Sequence, residues 1–243
     1  MNLLFVLAGL AYGQTADEII DKAKKAQRVD NGIQQMKMVL VSRNGATRQR
    51  QFEMRVRKDG EVLRTYVRFS HPTDVAGTQL VMVDHPDTVD EQLLYMPALR
   101  RTNRIAGRAR SGSFMGSDFS FEDLEISDAS DATHSLAEDL EGIWVIDTTP
   151  GESSAYERIR SHVSKADHVP RKIEFFKNGS AVKELEIQAT EMSGSTVIPT
   201  ITVMKNLQRG TRTELTVESY RLNVPASEIP DETFTAGFME RGG

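Results

Sequence analysis

Residues 31–69 read NGIQQMKMVLVSRNGATRQRQFEMRVRKDGEVLRTYVRF, and this stretch decides the fold. Apolar and polar side chains alternate with a period of two on both sides of Arg43-Asn44-Gly45 and again after Asp59-Gly60. These two short sequences favour the positive-φ turns that join neighbouring antiparallel strands. The pattern therefore predicts an antiparallel meander with one apolar and one polar face.

The same alternation continues through most of the chain. Beyond the meander it predicts strands at 78–83, 92–96, 143–146, 156–163, 172–177, 181–191, 197–204 and 213–222. That makes about eleven strands, and so many antiparallel strands form either a sandwich or a barrel. The stretch 229–234 is expected to be a short helical turn that docks Phe234 and Phe238 on the sheet. The chain contains no internal repeat, low-complexity tract or linker, so residues 14–243 are expected to form a single domain.

A helix is predicted before the first strand. Thr15 and Glu18 have the spacing of a capping box, in which each side chain accepts a hydrogen bond from the backbone N–H of the other residue. The apolar residues that follow lie on one helical face, and the pattern continues to about Val29.

Residues 1–13, MNLLFVLAGLAYG, have the form of a cleaved secretory signal peptide. Their apolar run is too short to cross a bilayer core, which needs about 20 residues. The chain contains no Cys, which excludes disulfides, thiolate metal sites, cysteine nucleophiles and bacterial N-terminal lipidation. We therefore expect an exported, periplasmic protein that is not lipidated.

The composition also bears on nucleic acids and catalysis. A net charge of −5 argues against a nucleic-acid-binding protein, which normally presents a strongly basic face. The five His residues are scattered, and no metal-binding spacing or G-x-S-x-G motif occurs. We therefore expect no metal, no cofactor and no enzyme, although a lipid hydrolase using the central loop stays open as an alternative.

The interruption between 96 and 143 carries the most unusual chemistry. An arginine-rich stretch precedes the sequence GSFMGSDFSFEDL at 112–124, and an acidic series follows it. The apolar residues of this stretch could form a lid over a curved sheet, with Asp118 or Ser117 capping a short helix. Alternatively they plug the core while the arginines pair with the acids. The arginines could also bind phosphate head groups, for which a guanidinium is suited.

Three sequences in this chain resemble the outer-membrane lipoprotein-sorting protein family, a LolA-like group of exported proteins. They are PTDVAGT at 72–78, LYMPALRR at 94–101 and, most specifically, GSDFSFEDL at 116–124. The resemblance runs from the helix start at 16–19 to Phe234. It implies a mainly β fold, a half-open antiparallel β-barrel of about eleven strands with helices covering the concave face. In LolA and LolB that face is an apolar cavity for the acyl chains of lipoproteins.

The resemblance implies a periplasmic carrier that binds lipid or lipoprotein acyl chains and transfers them towards the outer membrane without catalysis. The subgroup is similar to proteins encoded beside large lipid-exporting transporters. Its expected partners are therefore such an inner-membrane transporter and an outer-membrane acceptor, with transient contact at a membrane surface and no nucleic acid. We expect a monomer. The alternative is a non-transporting accessory subunit of an envelope lipid exporter or assembly complex.

A carrier must replace the bilayer with an equivalent apolar cavity, because removing a sixteen-carbon chain costs on the order of 10 kcal/mol at about 0.8 kcal/mol per methylene. Methionines are suited to such a cavity, since their flexible side chains can repack around variable chains. The cavity and lid candidates are Met36, Met38, Leu40, Phe52, Met54, Leu63, Val67, Met96, Phe114, Met115, Phe119 and Phe121. The candidates for contact with a head group or partner are Arg100, Arg101, Arg104, Arg108 and Arg110. No arginine aligns with the lid-pinning arginine of the LolA carriers.

Overall fold

All the strands of the chain that the structure describes lie in one antiparallel sheet. The structure is a computed structural model and describes residues 14–85, 90–125 and 131–243. The strand order is β6-β5-β4-β3-β2-β1-β13-β12-β11-β10-β9-β8-β7, so two meanders meet where β1 pairs with β13. The bounds are β1 Asn31–Val41, β2 Thr47–Asp59, β3 Val62–His71, β4 Gln79–Asp84, β5 Glu91–Met96, β6 Arg101–Ile105, β7 Thr133–Leu140, β8 Ile143–Thr149, β9 Arg158–Ser164, β10 Pro170–Lys177, β11 Ser180–Ser193, β12 Thr196–Asn206 and β13 Thr211–Leu222.

The predicted meander is confirmed in β1, β2 and β3. Met36 lies opposite Phe52, and Phe52 lies opposite Phe69, so one apolar row crosses the three strands. The connecting turns place Gly45 at φ 84° and Gly60 at φ 59°, a backbone conformation that glycine adopts without steric cost.

The prediction of eleven strands is wrong, because the described residues contain thirteen. The two additional strands, β6 and β7, lie within the predicted interruption and form the two edges of the sheet. Edge strands carry charged side chains and bury little, and β7 is almost entirely exposed. Neither strand therefore shows the apolar alternation that reveals strands inside a sheet.

The two faces of the sheet have different coverings. One face, called the cavity face here, carries Met38, Phe52 and Leu80. The opposite face, called the outer face, carries Tyr66 and Val81. The C-terminal stretch packs on the outer face of β3 to β5 through Phe234 and Met239, which have exposed fractions of 7% and 0%. Phe238 lies 5.8 Å from Tyr66 between ring centroids, so the predicted docking of Phe234 and Phe238 is confirmed.

The helices cover less of the cavity face than the sequence predicted. Helix α1, Ala16–Ala26, has both bonds of the Thr15 and Glu18 capping box, and it ends before the predicted Val29. Its residues Ile19 and Ala23 pack with Ile146 and Val163, and the helix contacts β7 and β12. Helix α2, Ala236–Glu240, instead contacts β5 and β6, and its Met239 belongs to the outer-face cluster. Only α1 and short 3-10 turns therefore cover the cavity face in the part of the chain described.

Charged side chains on β8 to β12 form cross-strand pairs. Asp147 on β8 accepts two hydrogen bonds from Arg160 on β9, at 2.7 and 2.8 Å. Glu184 on β11 contacts Lys172 and Lys205 on its two neighbouring strands, both at 2.9 Å. Asp147 lies directly opposite Arg160, and Glu184 lies directly opposite Lys205, so these two pairs of opposite charges favour the observed register.

None of the helices in the described ranges is long and apolar enough to cross a membrane. The predicted signal peptide, residues 1–13, lies outside the described residues.

Candidate functional site

A cavity of about 800 Å³ lies between the sheet, α1 and the central segment, residues 107–125. Its walls include Met82 on β4 and Val163 on β9, which stand eight positions apart in the strand order. The sheet must therefore curve around the cavity, although its edges β6 and β7 do not pair with each other. The volume is within the roughly 300–1,000 Å³ of pockets that hold organic ligands.

The cavity wall is mainly apolar and comes from both meanders. Met36 and Met38 face it from β1, and Leu215 and Val217 face it from the neighbouring β13. Alternate residues of a strand point to one face, and the wall is accordingly built from alternate residues of the strands between β4 and β8 in the strand order. The apolar lining residues of the strands are Met36, Met38, Phe52, Met54, Val56, Leu63, Val67, Met82, Val163, Ile159, Ile173, Phe175, Leu185, Ile187, Ile198, Leu215 and Val217.

Charged residues line the cavity in the central segment and at one end, called the mouth end, where β2 turns into β3 and α1 leads into β1. Lys58, Glu61 and Asp84 line the cavity there, and the Glu61 side chain is 73% exposed. Lys24 and Arg28 of the α1 region also line this end. An apolar wall with a charged mouth suits an amphiphile whose tail is buried and whose head stays hydrated.

The central segment forms the floor of the cavity by packing aromatic rings onto the sheet. Phe114 lies 5.7 Å from both Phe69 and Phe121 between ring centroids. Phe114 and Phe119 are 3% and 4% exposed and belong to the main hydrophobic cluster. Of the two interpretations of this segment, the buried rings favour a packed plug over a loose lid.

Asp118 connects the central segment to the end of the sheet opposite the mouth end. This end, called the turn end, is where β12 turns into β13. The Asp118 carboxylate is buried and accepts hydrogen bonds from Arg209 at 2.8 Å and from the Thr213 hydroxyl at 2.9 Å. The Thr211 hydroxyl donates to the same carboxylate. The prediction that Asp118 or Ser117 caps a short helix is wrong, because neither side chain makes a helix-capping bond.

Asp123 ties the segment to β11 and to the loop before β9. Its carboxylate accepts from the Tyr156 hydroxyl at 2.7 Å and from the Lys183 ammonium at 2.6 Å. It also accepts from the backbone N–H of Ser120 at 2.7 Å. Burial and the adjacent Asp123 raise the pKa of Tyr156, which therefore remains a neutral donor.

Glu125 and Arg110 pair at the two ends of the central segment. Gln92 on β5 donates to Glu125 at 3.1 Å and to the Phe121 carbonyl at 3.0 Å. Burial raises the pKa of Glu125, and the hydrogen bond to Glu125 raises the pKa of Arg110. The interpretation that the arginines pair with the following acids is thus right for Arg110.

Arg50 on β2 was missed by the sequence analysis. Its guanidinium donates to the backbone carbonyl of Met115 across the cavity face. Burial lowers the pKa of Arg50. Alternation along the strand could have identified it, because Arg50 is a charged residue on the same strand face as Phe52 and Met54. This position predicts a side chain that points towards the core.

The structure brings together about half of the predicted cavity and lid residues. Those that line the cavity are Met36, Met38, Phe52, Met54, Leu63, Val67 and Phe114. Those in or against the same hydrophobic cluster but outside the cavity wall are Leu40, Met96, Met115, Phe119 and Phe121.

The five predicted arginines do not form one patch. Arg110 lines the cavity, whereas Arg104 on β6 lies 4.0 Å from Glu91 and Arg108 is exposed on the 3-10 turn Gly107–Ser111. Arg100 and Arg101 lie at the turn between β5 and β6, far along the sheet from the mouth end. These arginines are therefore close in sequence but separated in the folded protein.

Comparisons with known proteins agree with this architecture. A family model with the description "Uncharacterized protein" matches residues 62–241. No curated protein matches the chain. An outer membrane lipoprotein-sorting protein domain from Vibrio parahaemolyticus is 28% identical, with a TM-score of 0.82 over 92% of this chain and 97% of that one.

Two further solved structures show the same fold. A DUF1329 family protein from Desulfovibrio piger is 22% identical, with a TM-score of 0.83 over 93% of this chain and 100% of that one. A LolA superfamily protein from Nitrosomonas europaea is 17% identical, with a TM-score of 0.74 over the same shares. The chain therefore belongs to the family whose model matches residues 62–241, and its structural neighbours are an outer membrane lipoprotein-sorting domain, a DUF1329 family protein and a LolA superfamily protein.

Proposed function

We propose that the protein is a periplasmic carrier that binds the acyl chains of a lipid or lipoprotein in its cavity. It transfers them towards the outer membrane without catalysis. It receives its cargo from an inner-membrane donor and delivers it to an outer-membrane acceptor. The observation that supports the proposal best is the apolar cavity of about 800 Å³, which an ordinary folded core would have filled.

The lining chemistry supports an acyl chain over a polar ligand. Four methionines, Met36, Met38, Met54 and Met82, line the cavity, and no metal-holding group of His, Asp or Glu occurs in the described residues. Each methylene moved from water into such a wall contributes about 0.8 kcal/mol. Unbranched thioether side chains can adjust to chains of different length and saturation.

The mouth end supports a carrier that leaves the head group accessible. Lys58 and Glu61 are 3.5 Å apart at this end, so their charges already compensate each other. Such a mouth end keeps a head group hydrated but does not favour the binding of a strongly charged head group. The proposed cargo contact is therefore the acyl chain.

Native mass spectrometry tests the proposal on protein released gently from its own envelope. We expect an adduct with the mass of a lipid or lipopeptide, and uptake of a fluorescent long-chain lipid by the delipidated protein. A protein that carries no adduct and takes up no labelled lipid contradicts the carrier. That result would favour the accessory subunit of an envelope exporter or assembly complex.

A further inference from the structure

The turn end of the sheet carries a concentration of exposed positive charge. Six connections reach this end: five hairpin turns, which join β5–β6, β3–β4, β1–β2, β12–β13 and β10–β11 in the strand order, and next to them the longer β8–β9 loop. Neighbouring strands are about 4.8 Å apart, so successive turns lie about 10 Å apart along the curved end. Five exposed cations occupy or flank these turns, namely Arg43, Arg48, Arg100, Arg101 and Lys177.

None of these five cations forms an ion pair with any of the described residues. Cations inside the strands β9 to β12 behave differently, since Arg160, Lys172 and Lys205 are all paired across strands, whereas Lys177 is the last residue of β10. Asp74 is the acidic residue of the five turns, while the β8–β9 loop carries Glu152 and Glu157, and Glu157 accepts from the Gly179 N–H. The five hairpin turns therefore keep an excess of positive charge within a protein of net charge −5.

Two leucines project from the same turns. Leu99 is 59% exposed beside Arg100, and Leu207 is 47% exposed in the turn that joins β12 to β13. Large apolar side chains at turn tips have no partner to pack on within their own turn. Arginines beside apolar tips match a bilayer interface, where aliphatic side chains enter the acyl boundary and guanidinium groups stay among anionic head groups.

We propose that the turn end docks onto the surface of an anionic lipid bilayer. The docking surface consists of the five unpaired cations with Leu99 and Leu207. A nucleic acid fits it less well, because the five turns contain no aromatic residue on which a base could stack. The surface lies away from the mouth end, so a docked protein would keep its cavity mouth directed away from that bilayer.

Vesicle binding tests the proposal, using the full chain as it is purified. Vesicles of phosphatidylcholine with about one third phosphatidylglycerol should bind the protein at low salt, and binding should weaken as salt screens the charges. Pure phosphatidylcholine vesicles should bind at least tenfold less. Equal binding to both vesicle types, or no binding to the anionic vesicles, overturns the proposal and assigns the basic surface to another partner.

A charge-matched pair of variants locates the surface. Arg43→Glu with Arg100→Glu should reduce binding to the anionic vesicles at least tenfold. Lys22→Glu with Lys25→Glu changes the net charge equally on the exposed side of α1 and should leave most of the binding. An equal loss in the two double variants would show that net charge alone drives binding, and would contradict a turn-end surface.

The absence of Cys permits a second measurement at single positions. An environment-sensitive fluorophore on Leu207→Cys should report an apolar environment when anionic vesicles are added. The same label on Met192→Cys, which lies exposed near the end of β11 at the mouth end, should not respond. A response at Met192→Cys alone would overturn the orientation. Neither readout involves the cavity, so lipid uptake in solution tests the carrier separately.

Discussion

The Nζ atom of Lys183 lies 2.6 Å from the Oδ2 atom of Asp123, and this contact joins β11 to the central segment. The Asp123 side chain is completely buried and that of Lys183 is 14% exposed. Tyr156 donates to the other carboxylate oxygen. The floor of the cavity is thus fixed by a desolvated charge cluster as well as by its phenylalanines.

Asp123→Ala should lower the free energy of unfolding by about 3–5 kcal/mol, because it leaves the Lys183 charge and the Tyr156 hydroxyl without a buried partner. Urea unfolding followed by circular dichroism measures the change. The control is Glu214→Ala, which removes a pair with Arg212 whose side chains are 37% and 49% exposed. That variant should change the free energy by less than about 1 kcal/mol. Equal effects in both variants would contradict a structural role for the Asp123 cluster.

Arg50→Ala should loosen the central segment while the sheet stays folded. The substitution removes the donor to the Met115 carbonyl but leaves the Asp118 and Asp123 contacts in place. Chymotrypsin should then cleave after Phe114, Phe119 or Phe121 several times faster, because cleavage requires local opening of the segment. Arg48→Ala is the matched control, since Arg48 is exposed two residues away on the same strand. Unchanged cleavage in Arg50→Ala would show that Arg50 does not hold the segment.

The sequence predicted the interior of the sheet well and its edges poorly. Strands such as β1 and β2 contain stretches in which apolar and polar residues alternate, because one face of each strand packs on the core. β6, with the sequence RTNRI, shows no such alternation because an edge strand has little to bury. Strand prediction from alternation thus depends on burial more than on pairing.

The sequence predicted residues of the candidate site where it predicted which face of a strand is buried. Met36, Phe52 and Val67 were found because alternation places them on the buried face. The contacts of Asp118 with Thr213 and of Asp123 with Lys183 join residues that are 95 and 60 positions apart in sequence. Such pairs depend on how the central segment folds back over the sheet, which local pattern does not encode.

Leu215→Trp should reduce uptake of a labelled lipid by about tenfold, equivalent to about 1.4 kcal/mol of binding free energy. Leu215 lines the cavity from β13, and the larger indole would occupy space that the acyl chain is proposed to use. Because the new ring enters empty volume, we expect little loss of stability. Fluorescence titration measures the uptake, and thermal unfolding checks the fold.

The matched control for this variant is Ile201→Trp. Ile201 lies on the neighbouring strand β12, is 37% exposed and does not line the cavity. Uptake by this variant should equal that of the unaltered protein. If Leu215→Trp also binds lipid normally, the acyl chain does not occupy the cavity.

Asp147→Asn should destabilise the protein at neutral pH and have no effect in acid. The hydrogen bonds from Arg160 hold the pKa of Asp147 below its ordinary value of 3.8. A carboxyl group whose pKa is lower in the folded state than in the unfolded state contributes stability above its unfolded pKa. That contribution is lost as the pH falls through the lowered pKa, because both states are then protonated.

Urea unfolding at about pH 7 and at successively lower pH values measures the difference between the unaltered protein and Asp147→Asn. The difference should be constant down to about pH 4 and then decrease towards zero, since the asparagine variant has no carboxylate to titrate at this position. Asp21→Asn, on the exposed side of α1, is the control at about pH 7, where it removes the same charge and should change the free energy of unfolding little. A difference for Asp147→Asn that persists unchanged into strong acid would mean that the asparagine perturbs packing. In that case the cross-strand pair with Arg160 would not be the source of the stability.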